Sequence, residues 1–329
     1  MSPAADWPPS ASRARLTERA TLLARARDFF AARGVLEVDT PLLVNAPVSD
    51  VHLHSAQAQL APAEGPAAAT ARYFLHTSPE YAMKRLLAAG SGDIYQICHV
   101  VRGHECGRLH NPEFTLIEWY RQGFSLAALM DEVEALVRTL LGAGAAARTA
   151  ERVSYRQAFQ RALGLDPFTA AAPELARAAA AAGFTGSAAT ARDEYLEALM
   201  GLVIGPALGR GALTFIYGYP ASQAALARLD PHDPRAAQRF ELYGEGMELA
   251  NGFHELTAAA EQRARFEQDQ AERRRRGLPV HALDERLLAA LEHGLPDCSG
   301  VALGFERTLM LACGAAHIDE VLAFPTARA

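Results

Sequence analysis

The chain is almost without lysine: of its 32 basic residues only Lys84 is lysine, and all the others are arginine. Abundant Ala and Arg elsewhere make codon bias the simplest account of that skew. The chain also lacks a surplus of positive charge. Its 32 basic residues face 38 acidic ones, for a net charge of −6, which argues against a protein whose main work is gripping nucleic acid, since neutralising phosphates takes excess Lys and Arg. Cysteine is scarce, and Cys98, Cys106, Cys298 and Cys313 form no C-x-x-C pair. That excludes a disulfide scaffold and a standard zinc ribbon, and it fits a reducing cytoplasm. Long apolar runs are missing too. The most apolar window, Ala198 to Tyr219, is broken by Gly201, Gly205, Pro206 and Arg210, and the first ten residues have no basic and apolar leader pattern, so neither a membrane span nor a signal peptide is expected. What remains is 329 residues, half of them hydrophobic and 21% charged, the composition of a soluble globular protein with volume for a large core.

Periodicity organises the chain. Residues 1–15 form a loose N-terminus, and helices are expected at 16–32, 79–89, 125–141, 257–276, 284–291 and 305–313. Strands are expected at 35–38, 94–101, 113–121, 213–219, 240–243, 247–253 and 300–303, with a hairpin of 50–60 and 72–76 around a turn at Ala61 to Pro66. The Ala-rich stretch 142–210, broken by Gly164, Pro167, Pro173 and Gly183, is a mostly helical insertion within a catalytic domain spanning 16–329. Strands that follow one another through hairpins, with helices between, predict an α+β fold built on an antiparallel sheet.

Four segments carry residue types suited to chemistry. In Val101–Tyr120, strand, basic loop and returning strand offer Arg102, Arg108 and His110 to phosphate oxygens and Phe114 to a base; an ordinary hairpin with solvated charges explains the segment equally well. In Arg239–Glu255, Glu241 and Glu248 sit on opposite arms of a turn at Gly244-Glu-Gly246, where two close carboxylates call for a cation between them, such as magnesium carried by a nucleoside triphosphate. Gly300–Arg307 runs an apolar strand past a glycine to an arginine at a helix start, which suits a nucleotide clamp. Thr77-Ser-Pro-Glu80 reads by itself as a capping box with Pro in the first turn. The run Arg273–Arg276, balanced by Glu267, Asp269 and Glu272, reads as a solvated helix face.

Taken together and in order, these segments resemble the catalytic core of class II aminoacyl-tRNA synthetases of the lysyl subclass over Leu16 to Phe324. Arg102 and its loop are similar to that family's motif 2, Gly300–Arg307 to motif 3, and Gly34–Pro41 to the dimer-forming motif 1. The stretches His110-Asn-Pro-Glu-Phe-Thr, Glu-Trp-Tyr-Arg121, Pro220-Ala-Ser-Gln223 and Pro296-Asp-Cys-Ser-Gly-Val-Ala-Leu-Gly304 resemble more closely a paralogous branch that lacks the anticodon-binding domain and modifies elongation factor P. The resemblance implies a cytoplasmic homodimer that uses ATP and Mg2+ to activate (R)-β-lysine and transfers it to a lysine ε-amino group of elongation factor P, with no tRNA. It implies that Arg102 and Arg307 hold the ATP phosphates, that Phe114 stacks the adenine, that His104, His110, Asn111, Leu249 and Gly304 line the nucleotide site, and that Glu241 and Glu248 bind magnesium. Ser78, Glu80, Tyr120, Glu255 and Ala302 would surround the amino acid, whose two ammonium groups need buried carboxylates.

Two positions depart from the synthetases. His104 stands where family members usually carry the Glu that meets the adenine amino group, with Glu105 as a substitute if the loop shifts. Ala302 replaces the synthetases' Gly, and the added methyl would favour the β-isomer by about 1–3 kcal/mol. A tRNA-charging enzyme remains an alternative, weakened by the acidic charge and by fewer than twenty residues ahead of the first expected helix. A regulatory paralogue would have lost Arg102, Arg307, Glu241 and Glu248, all of which are present. A zinc site from Cys98, His104, Cys106 and His110 matches no common ligand spacing.

Overall fold

The computed structural model describes residues 7–60, 71–142, 149–187 and 190–329. The chain divides into two compact units, the first made of Met1–Gly123, Thr257–Cys298 and Ala302–Ala329, the second of Phe124–Leu256 and Ser299–Val301.

The first unit begins with α1 (Arg13–Ala31), whose Ser12 cap accepts from the Arg15 amide. The apolar side of α1 delivers Phe30 onto a sheet, where it stacks on Tyr95 with ring centroids 4.2 Å apart and meets the edge of Trp119 at 5.3 Å. In that sheet β5 (Ile94–Val101) and β6 (Glu113–Gln122) pair antiparallel, in unbroken register from Ile94 opposite Tyr120 to Val101 opposite Glu113. The period of two sends Tyr95 and Trp119 to the α1 side and leaves Gln96, Phe114, Glu118 and Tyr120 on the other. β1 (Leu36–Glu37) joins β5 in parallel in an otherwise mainly antiparallel sheet, the long connection through a second sheet and α2 (Glu80–Ala88) allowing the crossover that a parallel pair needs. Glu306, on α9 (Phe305–Cys313), ties these layers. It is 2% exposed, bonds Arg19 of α1 at 2.8 Å and accepts from the Thr115 amide of β6 at 2.8 Å.

A second, three-stranded sheet orders β2 (Leu43–Val44), β4 (Ala71–Leu75) and β3 (Gln57–Leu60), all antiparallel. β3 and β4 are the expected hairpin, and its turn at Ala61 to Pro66 lies outside the described residues. Next come α2 (Glu80–Ala88), α7 (Ala259–Arg275) and α8 (Glu285–Gly294), the last capped by Asp284. The capping box expected at Thr77 does not form: Ser78 Oγ accepts from the Glu80 amide at 3.0 Å instead.

In the second unit α3 (Leu126–Leu141) is capped by Ser125. Residues 142–210 hold the short strand β7 (Glu151–Ser154) as well as α4 (Tyr155–Leu163), α5 (Ala172–Ala181) and α6 (Arg192–Leu199). β7 runs parallel to β8 (Thr214–Pro220), which pairs antiparallel with β9 (Ala236–Gly244), and β9 with β10 (Met247–His254). The helices bury Tyr155, Phe159, Leu196 and Leu199 in one core with Ile216, Tyr219 and Tyr243 of the strands. Glu245 and Gly246 join β9 to β10 at φ +49° and +75°, a type I′ turn. Gly246 is required there twice over, since a Cβ would also stand 2.7 Å from the Pro206 carbonyl. β11 (Cys298–Gly304) contributes residues to both units.

Removing one partner of a buried ion pair leaves the other charge stranded. Glu306→Ala is therefore expected to lower stability by about 3 kcal/mol in urea unfolding, with Arg19 left facing the Thr115 hydroxyl and the Phe305 ring and no carboxylate.

Candidate active site

Two loops meet at the end of β5. The Val101 amide donates to the His76 carbonyl at 3.0 Å and the Arg102 amide to the Pro112 carbonyl at 2.8 Å, so the segment 76–80 and the loop 102–112 start from fixed points. Arg102 donates from Nε to the Thr77 carbonyl at 3.2 Å, and its guanidinium lies 5.1 Å from the Phe114 ring centroid. That face combines a cation and an aromatic ring, the pair that suits a nucleotide. Arg307, at the start of α9, reaches the same loop. It donates to the Leu109 carbonyl at 3.3 Å and to His110 Nε2 at 2.7 Å, which makes His110 an acceptor and hence neutral. Burial pushes the His110 pKa down, and the Arg307 charge pushes it further.

Asn111 is more of a brace than a free ligand. Its amide nitrogen donates to the Glu113 carbonyl at 2.6 Å and to Thr326 Oγ1 at 3.1 Å, while its oxygen accepts from the Thr326 amide. His104 is exposed, with φ +67°, an uncommon backbone state for a side chain of its size. Its ring meets His54 edge-on at 4.7 Å. Glu105 faces Arg102 at 3.7 Å, so its carboxylate is turned to a guanidinium. Gly304 is the residue ahead of α9, and Ala302 is half-buried two residues before it.

Of the residues expected around an amino acid, Ser78, Glu80 and Tyr120 form a connected network in the first unit. Ser78 Oγ donates to Glu118 Oε2 at 2.7 Å, and the Tyr120 hydroxyl donates to Glu118 Oε1 at 2.8 Å. Lys84 Nζ holds Glu80 Oε1 at 2.6 Å, and Lys84 is 1% exposed. Glu118 is 2% exposed, and sequence spacing alone presents it only as one residue of a strand. A charge inside the apolar run Phe-Thr-Leu-Ile-Glu-Trp-Tyr was the signal that could have singled it out. A cavity of about 670 Å³ opens beside Thr77, Ser78, Tyr81, Arg85, Asp284 and Arg286, within the size range of small-ligand sites.

In the second unit, β9 and β10 carry the expected carboxylates on one face. Glu248 lies opposite Tyr243, and Glu241 opposite Asn251, with a bulge between Glu248 and Ala250. The bulge absorbs one residue, so Glu248 is the diagonal neighbour of Glu241, beside Asn251. The cation there is the protein's own. Arg239 Nη2 bonds Glu241 Oε1 at 2.6 Å, and the Tyr243 hydroxyl bonds Oε2 at 2.6 Å. Burial works against the Arg239 charge, but Glu241, Tyr219 and Glu248 outweigh it and raise its pKa. Each Glu241 oxygen thus carries a hydrogen bond and keeps a further lone pair, so the carboxylate retains the capacity to meet a cation. Leu249 and Glu255 are buried, at 2% and 1%. Among the described residues no three His, Cys, Asp or Glu side chains converge as a metal site, Cys98, His104, Cys106 and His110 included, and no helix is long and apolar enough to cross a membrane.

A family model for class II tRNA synthetases (D, K and N) matches residues 4–328. The chain belongs to this family. Within it, the chain is 50% identical over 332 residues, all of both chains, to a Yersinia enterocolitica protein named elongation factor P--(R)-beta-lysine ligase. It is 51% identical over 324 residues to the protein of that name from Vibrio vulnificus, covering 98% of each chain, and 50% identical over 327 residues to that of Vibrio cholerae, covering 98% of this chain and 99% of the other.

Burial lowers the pKa of His54, His76, His110 and His281, aided by neighbouring cations for all but His76. The unfolded chain protonates these rings near pH 6.5, whereas the folded chain protonates them only below that. The unfolded state therefore binds more protons in that window, and stability rises with pH. The urea midpoint is expected to fall as pH drops from 7.5 to 5.5, and His76→Asn should shrink that difference.

Proposed function

We propose that the protein activates (R)-β-lysine with ATP and transfers it to a lysine ε-amino group of elongation factor P. The observation that carries this reading is identity at about half of all positions, along the full length, to ligases of that name. The local chemistry supports it. A substrate with two ammonium groups is matched by Glu80 and by the buried Glu118, whose two hydroxyl donors, Ser78 and Tyr120, are neutral.

In the first step a carboxylate oxygen of the amino acid attacks the α-phosphorus of ATP, the bond to the bridging oxygen breaks, and pyrophosphate leaves. In the second, the acceptor amine attacks the acyl carbon, AMP departs, and the amine loses a proton. No protein nucleophile is needed, so the protein contributes position and charge. We assign Arg102 and Arg307 to the phosphates, Phe114 to the adenine, and His104, His110 and Gly304 to the rim of the nucleotide. Asn111 acts through its hold on the loop, and Ala302 narrows the floor under the amino acid. Leu249 and Glu248 are assigned to the nucleotide and Glu255 to the amino acid on the family resemblance. ATP enters as its magnesium complex, with Glu241 and Glu248 as the candidate contacts. A cytoplasmic homodimer completes the proposal.

Amino-acid-dependent exchange of pyrophosphate into ATP is expected with (R)-β-lysine in preference to α-lysine, and the intact mass of elongation factor P should rise by one lysyl unit. Exchange with neither amino acid, or transfer to tRNA alone, would refute the reading. Glu118→Gln should cut kcat/KM for the amino acid about 100-fold, equivalent to roughly 3 kcal/mol, while leaving the KM for ATP within about twofold.

A further inference from the structure

One basic residue of α7 is not solvated. Arg273, first of the run Arg273–Arg276, is 5% exposed. It donates from Nη1 to the Asp50 carbonyl at 2.6 Å and from Nε to the Pro279 carbonyl at 2.8 Å, with the Leu53 carbonyl at 3.5 Å from Nη1. A guanidinium spent on backbone carbonyls fixes the path of the chain, because its planar fork sets the oxygens relative to one another. One turn earlier on α7, Asp269 accepts from Ser49 Oγ at 2.5 Å. Residues 49–53 are thereby pinned to the helix at both ends.

His54 follows directly, and it touches the candidate nucleotide loop twice. Its carbonyl accepts from the Gly103 amide at 2.7 Å, and its ring lies edge-on to His104 at 4.7 Å. The approach is so close that a Cβ on Gly103 would stand 3.1 Å from the His54 carbonyl oxygen and 3.3 Å from its Cβ. Gly103 adjoins Arg102. The Arg102 guanidinium meets the Thr77 carbonyl at 3.2 Å, Glu105 at 3.7 Å and the Phe114 ring at 5.1 Å. Its backbone is held on one side by the Arg102 amide on the Pro112 carbonyl and on the other by the Gly103 amide on His54, so the hold at 103 helps set the direction in which the side chain leaves.

From this chain of contacts we propose that Arg273 is a positioning residue for ATP: through Asp50, Leu53 and His54 it anchors Gly103 and so aims Arg102. The inference rests on the assignment of Arg102 to the ATP phosphates. It does not depend on which amino acid is activated, because the amino-acid network of Ser78, Glu118 and Tyr120 is anchored separately on β6.

The test compares wild type with Arg273→Met, whose side chain keeps the length and loses the donors. Equilibrium dialysis with ATP reads affinity without turnover, pyrophosphate exchange gives the separate KM values, and amide hydrogen exchange reads the backbone. ATP binding is expected to weaken about tenfold, with the KM for the amino acid unchanged within about twofold and faster exchange confined to 49–54 and 102–106. Unchanged ATP affinity, unchanged exchange at 102–106, or equal increases in both KM values would each overturn the proposal. Should Arg273→Met not fold, Gly103→Ala breaks the same link from the other end, and the same outcomes apply. A wild type that binds ATP but exchanges no pyrophosphate would refute the assigned reaction, and the dialysis and hydrogen-exchange results would still decide the role of Arg273.

Discussion

The unbroken pairing of β5 with β6 is the constraint on which the rest of the site depends. Because side chains alternate, this register puts the rings that pack on α1 to one side and Phe114, Glu118 and Tyr120 to the other. A slip by one residue would bury the wrong set. The register is held at both ends: Asp93 accepts from the Gln122 amide at 2.7 Å, and the Arg102 amide donates to the Pro112 carbonyl. Glu306 holds the middle through the Thr115 amide.

The buried carboxylates divide by what neutralises them. Glu306 and Glu241 are met by arginines: Glu306 joins α1, β6 and α9, and Glu241 bonds Arg239 and Tyr243 of its own strand. Glu80 is met by the more compact ammonium of Lys84, and Glu118 by two hydroxyls. A guanidinium fork fixes a carboxylate in one plane, whereas hydroxyls and an ammonium hold it at single points. The same residue type thus serves architecture in one setting and recognition in another.

Local patterns were legible in the sequence where local physics decides. The strand 94–101 and the helix 305–313 fall where alternation and helical spacing put them, and Ser125 and Asp284 cap their helices as short polar residues do. The motif loop around Arg102 and the aromatic face of Phe114 were also visible. Three features were not, and each depends on something other than local spacing. The bulge at Leu249 makes the two expected carboxylates diagonal neighbours. The parallel course of β1 rests on the long crossover through the second sheet and α2 to β5. Arg273 looked solvated because its acceptors, the carbonyls of Asp50 and Leu53, are about 220 residues away in sequence, and backbone acceptors leave no trace in residue identity.

Lys84 is the chain's single lysine, buried at 1% and bonded to Glu80. An enzyme that makes an activated acyl group for lysine side chains exposes its own surface to that reagent with every turnover. This surface carries arginines, whose guanidinium groups stay protonated and do not attack acyl carbons at neutral pH. The scarcity that began as a matter of composition therefore leaves the protein with no accessible side-chain amine to compete with its partner for the product it makes.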